Sequence, residues 1–248
     1  MRHNHFTTSD GVTINWREMG EGRPIILLHG LFSNADVNWV KYGHAARIAG
    51  SGYRVIMPDF RAHGTSDAPH DAVHYPVDIL ARDVEQLVVH LGITDFDLGG
   101  FSLGSRTSVR CIVRGMRPGK LILGGMGLEG LTGSAVRTSF FRRAIAEFST
   151  AKRGDDTWLA IQFMKTMKID RRAADLLLKS FTATEASALA TVSMPTLVVC
   201  GAQDFDNGHG DALAAALPDA RFVEVPGTHM SCVADAALGD AMAAFLAA

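Results

Sequence analysis

The sequence predicts an α/β domain: a doubly wound, mostly parallel sheet that carries a small helical insertion. Three observations predict it. Continuous apolar runs of four to six residues recur along the chain, as in strands covered on both faces by helices. Helix-period stretches lie between those runs, which is the alternation a parallel sheet needs for its crossovers. One long segment, 127–189, breaks the alternation with helical patterns and no convincing strand. It is too long for a strand-to-helix loop and reads as a lid inserted above the sheet.

Taken in order, the first fifth reads as paired strands. Val12-Thr13-Ile14-Asn15-Trp16 alternates and is bounded by Asp10-Gly11 and Gly20-Glu21-Gly22, as a hairpin would be. Pro24 to Leu28 is a continuous apolar strand. Further buried strands are expected at Tyr53 to Met57, Phe96 to Leu98, Lys120 to Leu123, Thr196 to Cys200 and Arg221 to Val225. Helices are expected over Ala35 to Gly50, Pro76 to Leu91, Leu103 to Met116, His209 to Leu217 and Ser231 to Leu246. The core would then comprise 1–126 and 190–248, with the lid at 127–189. Most apolar lid residues, such as Leu131, Phe141, Ile161 and Met164, are expected to pack the lid onto the core, and a few to line a pocket. The lid arginines, Arg137, Arg142, Arg143, Arg171 and Arg172, are expected on solvated helix faces.

Composition narrows the function classes. With 248 residues, 47% hydrophobic and 20% charged, this is an ordinary globular composition for one sizeable domain. Lys plus Arg is 24 against 26 for Asp plus Glu, a formal charge of −2, so the clustered basic excess of a nucleic-acid footprint is absent. The three cysteines, Cys111, Cys200 and Cys232, are odd in number and far apart, which suits reduced thiols rather than a disulfide framework. The opening Met1–Thr8 lacks the apolar core of a signal peptide, and a cytoplasmic location is expected. Between Glu185 and Asp204 no charge intervenes, but Pro195 and several Ser and Thr residues interrupt the run. It reads as a helix end, a turn and a buried strand, not a membrane span.

In an open α/β sheet, function collects beyond the carboxyl ends of the strands. Those ends carry His29-Gly30-Leu31-Phe32, the D-x-R-A-H-G-x-S stretch from Asp59 to Ser66, Gly100-Phe101-Ser102-Leu103-Gly104, Gly201-Ala202-Gln203-Asp204 and Gly227-Thr228-His229. The third is a G-x-S-x-G pattern between a strand and a helix, the context of a nucleophile elbow. There the chain turns so sharply that side chains at 100 and 104 would collide with the neighbouring backbone, so glycine belongs at both. A serine, an acid and a histidine follow in that chain order, each at a strand end.

On these residues the chain resembles the α/β-hydrolases over essentially its whole length. The resemblance implies an eight-stranded, mostly parallel sheet with a helical cap and a Ser-Asp-His triad. Ser102 would be the nucleophile, His229 its general base and then the acid for the leaving group, and Asp204 the group that fixes the histidine tautomer. The backbone N–H groups of Leu31 and Leu103 would form the oxyanion hole. The expected activity is cofactor-independent cleavage of a small carboxylic ester or lactone through an acyl-enzyme. Hydrolysis of a C–C bond next to a ketone is an alternative, and a non-catalytic ligand receptor on the same fold is another. Ser102 argues against dehalogenase and epoxide hydrolase activities, whose elbows carry Asp.

Several residues compete for other roles. Gly99 to Gly104 matches the opening of a phosphate loop, but Ser105-Arg106 stand where Lys and Ser or Thr would be needed. Gly20-Glu21-Gly22 precedes a strand and lacks the third glycine of a dinucleotide site. His70 and His74 lie in a loop without further ligands and read as solvated, so no metal is expected. His29 and His63 are read as loop-orienting residues, and Cys200 and Cys232 as small buried hydrophobes. For the triad acid, Asp206 and Glu129 stay open beside Asp204.

Overall fold

The computed structural model describes residues 1–133 and 135–248. Its eight strands are β1 (Arg2–Thr7), β2 (Thr13–Met19), β3 (Arg23–Leu28), β4 (Tyr53–Pro58), β5 (Asp97–Phe101), β6 (Leu121–Gly124), β7 (Thr196–Gly201) and β8 (Ala220–Val225). They form one sheet in the order β1-β2-β4-β3-β5-β6-β7-β8. β2 runs antiparallel to both β1 and β4, and the remaining neighbours pair in parallel. The sheet class and the inserted helices match the sequence expectation.

The continuous apolar runs are explained by two cores, one on each face. In β3, Ile26 and Leu28 face one core while Ile25 and Leu27 face the other. The same division separates Leu121 and Leu123 from Ile122 in β6, and Val198 from Leu197 and Val199 in β7. Side chains alternate at period two, so a strand covered on both faces cannot contain a polar row. The first core is covered by α2 (Ile79–Leu91), α3 (Leu103–Val113) and α8 (Gly210–Ala216). The second is covered by α1 (His44–Gly50) and α9 (Ala236–Ala247).

Between β6 and β7 lie α4 (Leu128–Thr132), α5 (Ala135–Ala146), α6 (Trp158–Thr166), α7 (Arg171–Lys179) and a 3-10 turn at Ala186–Thr191. A small core of Phe32, Ala144, Ile161, Met164, Ile169 and Ala174 holds this segment together. Phe32 comes from the loop after β3, so the segment is sewn to the sheet at the strand ends. Leu131, Ala173 and Leu177 join the first main core.

Four expected helices differ in extent, among them α3, which ends at Val113 rather than Met116. The stretch 35–50 is not one helix: a π turn at Asp36–Val40 is separated from α1 by Gly43, at φ 80°. The stretch 231–246 is likewise divided, because Asp235 adopts an extended conformation and caps α9 through the Ala237 N–H. α2 begins at Ile79 rather than Pro76, after Asp78 at φ 61°. Among the described residues no helix is long and apolar enough to cross a membrane.

Candidate active site

β5 runs into the glycine motif itself, and Ser102 follows it at φ 53° and ψ −110°. A serine holds such a conformation only when its surroundings impose it. The Ser102 N–H donates to Gly124 O at 2.8 Å, and Ser105 Oγ lies 2.8 Å from both Gly100 O and Gly124 O. A Cβ on Gly100 would stand 2.2 Å from the Gly104 carbonyl carbon, and one on Gly104 2.0 Å from Leu28 O. The two glycines therefore let α3 start in backbone contact with the ends of β3 and β5.

Asp204 and His229 come from the loops after β7 and β8. Those loops are tied to each other by Ala202 N donating to Val225 O at 2.7 Å and Gln203 N to Gly227 O at 2.9 Å. His229 Nδ1 lies 3.0 Å from Asp204 Oδ1 and 2.9 Å from Oδ2, and both side chains are buried. An Nδ1–H held by the carboxylate leaves Nε2 with its lone pair free. The imidazole packs against Phe101, with ring centroids 5.0 Å apart. Among the described residues no hydrogen bond joins Ser102 Oγ to His229. The serine oxygen lies instead 3.5 Å from Asn207 Nδ2, which donates to Gly125 O at 2.8 Å.

Leu31, Ser102 and Leu103 line one small, half-open cleft with a cavity volume of about 50 Å³. Among the described residues the Leu31 and Leu103 N–H groups have no protein acceptor, whereas those of Gly30, Phe32 and Ser102 do. Gly30 N donates to Asn38 Oδ1 at 3.0 Å and Phe32 N to His63 Nε2 at 3.0 Å. His29 Nε2 accepts from Phe60 N at 2.9 Å. Burial holds both histidines well below their ordinary value, His63 at about 3, so each ring stays neutral and can accept.

The Asp59 to Ser66 stretch supports this loop. Asp59 is fully buried and accepts from Ala35 N at 2.8 Å, Thr65 N at 3.0 Å and Arg17 Nη1 at 3.1 Å. Burial opposes its ionisation, but these N–H donors and the Arg17 guanidinium outweigh it and hold the carboxyl below its usual range. Arg61, also fully buried, forks onto Asp83 at 2.6 and 2.7 Å.

The remaining candidates fall elsewhere. The Asp206 carboxylate is half exposed, 3.7 Å from Arg137 Nη1. Glu129 accepts from the His209 N–H at 3.1 Å and braces the turn at Gly208. His70 pairs with Asp170 at 2.7 Å and His74 with Asp10 at 3.1 Å. Among the described residues no group of His, Cys, Asp and Glu could hold a metal ion. Burial pushes the thiols of Cys200 and Cys232 up to about 12, which keeps them protonated and inert.

Three residues at the cleft escaped the sequence reading. Arg137 lines it rather than lying on a solvated helix face. Asn207 reaches Ser102 from a loop, with no pattern to announce it. Arg106 also lines the cleft, and here a signal existed: it stands in the first turn of α3, four residues after Ser102, and its N–H donates to Ser102 O at 3.1 Å.

Comparison with known proteins agrees with this fold. A family model described as alpha/beta hydrolase fold matches residues 23–111, the segment from β3 to α3. The non-heme chloroperoxidase CPO-A1 of Kitasatospora aureofaciens is 35% identical over 108 residues, covering 44% of this chain and 38% of that protein. The chain spans about two fifths of the length of the curated relatives it matches. Among solved structures, an esterase from Exiguobacterium antarcticum superposes with a TM-score of 0.79 at 18% identity, over 98% of this chain and 99% of its own. The enol-lactonase from Burkholderia xenovorans gives 0.76 at 22% identity, over 99% and 100%. Sheet order and matched segment together give this chain the α/β-hydrolase fold.

Proposed function

We propose that this protein is a cofactor-independent serine hydrolase that cleaves a small carboxylic ester or lactone through an acyl-enzyme. The observation that carries the reading is the buried Asp204–His229 pair, whose free Nε2 belongs to the same set of strand ends as Ser102. A serine hydroxyl is a poor nucleophile at neutral pH and needs such a base. His229 Nε2 takes the Ser102 proton as Oγ attacks the carbonyl carbon. The negative charge that develops on the carbonyl oxygen is met by the Leu31 and Leu103 N–H groups, unpaired and preorganised in the cleft. His229 then protonates the departing alkoxide, and water repeats the sequence in reverse order to release the acid. Asp204 holds the tautomer and stabilises the imidazolium throughout.

Serine–histidine hydrogen bonds commonly tighten only once substrate is bound. A fluorophosphonate probe tests the reading. The wild-type protein should be labelled and Ser102→Ala should not; a folded wild type that resists labelling would refute it.

A further inference from the structure

We infer that the cleft beside Ser102 is built for a substrate carrying a free carboxylate, held by the Arg106 guanidinium a few carbons from the bond that is cleaved. This rests on the serine-hydrolase reading for the cleavage, though not for the binding.

Elsewhere in this protein, arginines withdrawn from water are paired with carboxylates. Arg61 meets Asp83 and Asp10, Arg17 meets Asp59, and Arg110 meets Asp78 at 2.6 and 2.8 Å. A guanidinium withdrawn from water needs such a partner, because its desolvation is otherwise uncompensated. Arg106 lies one turn before Arg110 on the same helix, and among the described residues no carboxylate lies within ion-pair distance of it. Its protein acceptors are two neutral carbonyls, Gly130 O at 2.9 Å from Nη1 and Thr182 O from Nη2. Guanidinium has five donors, so these two bonds orient the fork and leave donors over. Burial, and then the like charge of Arg110, push Arg106 down to about 10, as expected of a desolvated cation lacking a counter-ion.

The cleft it faces has matching chemistry. Its lining includes Arg106 and Arg137 but no acidic side chain. Arg137 is engaged by Asp206 and by the ring of Phe141, and adds positive potential at the rim. Phe141, Leu178 and Phe181 supply an apolar wall for a short carbon chain. Ser102 and Arg106 line the same small cleft. A carboxylate on Arg106 therefore belongs to a short chain whose other end reaches Ser102, as in a monoester of a short dicarboxylic acid.

Calorimetry on Ser102→Ala separates binding from chemistry. Monomethyl glutarate, anionic at neutral pH, should bind at least about tenfold more tightly than neutral dimethyl glutarate, the order expected for one charge-assisted bidentate contact. Arg106→Gln in that background should abolish the difference. Arg106→Lys, which keeps the charge and loses the fork, should retain part of it and serves if the glutamine variant does not fold. Equal binding of the two esters, binding of neither, or a preference that survives Arg106→Gln would overturn the inference. Fluorophosphonate labelling of the wild type reads the other claim separately. Discrimination without labelling leaves the subsite standing and removes the hydrolase; labelling without discrimination does the reverse.

Discussion

Both carboxylate oxygens of Asp204 lie within 3.0 Å of His229 Nδ1, whereas Asp206 turns to Arg137 and Glu129 to the His209 N–H. An amide at 204 would lose that ionic hold and no longer fix the imidazole tautomer. Asp204→Asn should therefore lower kcat on a model ester by about four orders of magnitude, while Asp206→Asn and Glu129→Gln leave it near wild type. Steady-state kinetics on the three variants checks this, and a large loss at Asp206 or Glu129 alone would reassign the acid. Residues of this kind were legible because each stands at a strand end beside a glycine, in a context that only close backbone approach explains. Asn207 was not, since its contact with Ser102 depends on the path of a loop that no periodicity encodes. Arg106 was half legible: its spacing from Ser102 was visible, but its want of a carboxylate partner is a three-dimensional fact.

At the scale of elements, apolar period placed the strands well because both faces of the sheet are buried and nothing else could occupy them. Helix boundaries were less readable. Gly43 and Asp235 interrupt stretches whose apolar residues continue to face the second core, so the periodic signal runs across a break in the backbone. Phe96 to Leu98 marks only part of its strand, since β5 continues through Gly99 and Gly100 on backbone pairing with β3 and β6. The packing of α3 onto β3 gives a direct test. Gly104→Ala, whose methyl would meet Leu28 O at 2.0 Å, should destabilise the fold by about 3 kcal/mol. Gly30→Ala, whose methyl would find no atom closer than 3.7 Å, should be tolerated. Urea denaturation midpoints of the two variants decide it; equal midpoints would mean that α3 can shift at little cost.

For the whole molecule, the buried neutral histidines set a pH limit. The folded protein keeps His63 unprotonated down to about 3, and His29 and His44 are lowered in the same direction by burial, while the unfolded chain takes up protons near 6.5. The stability they contribute is complete above about pH 6.5 and is lost as pH falls below it, for His63 at about 1.4 kcal/mol per pH unit down to about 3. Asp59, held below 3.8, adds to the loss at still lower pH. Melting temperature should therefore begin to fall below pH 6.5, and a plateau extending to pH 5 would contradict it. The helical segment between β6 and β7 has a different kind of consequence. β6 ends at Gly124, at the carboxyl edge of the sheet, while β7 starts at Thr196, which pairs with Leu121 at the opposite edge. The segment is thus both cap and crossover, and its last stretch buries Leu189 and Val192 in the first core. In a lineage of such proteins this insert can be exchanged for another that also ends in a crossover, but it cannot simply be deleted. New specificities on this scaffold would arise by replacement of the whole span, with the sheet and its strand-end chemistry inherited unchanged.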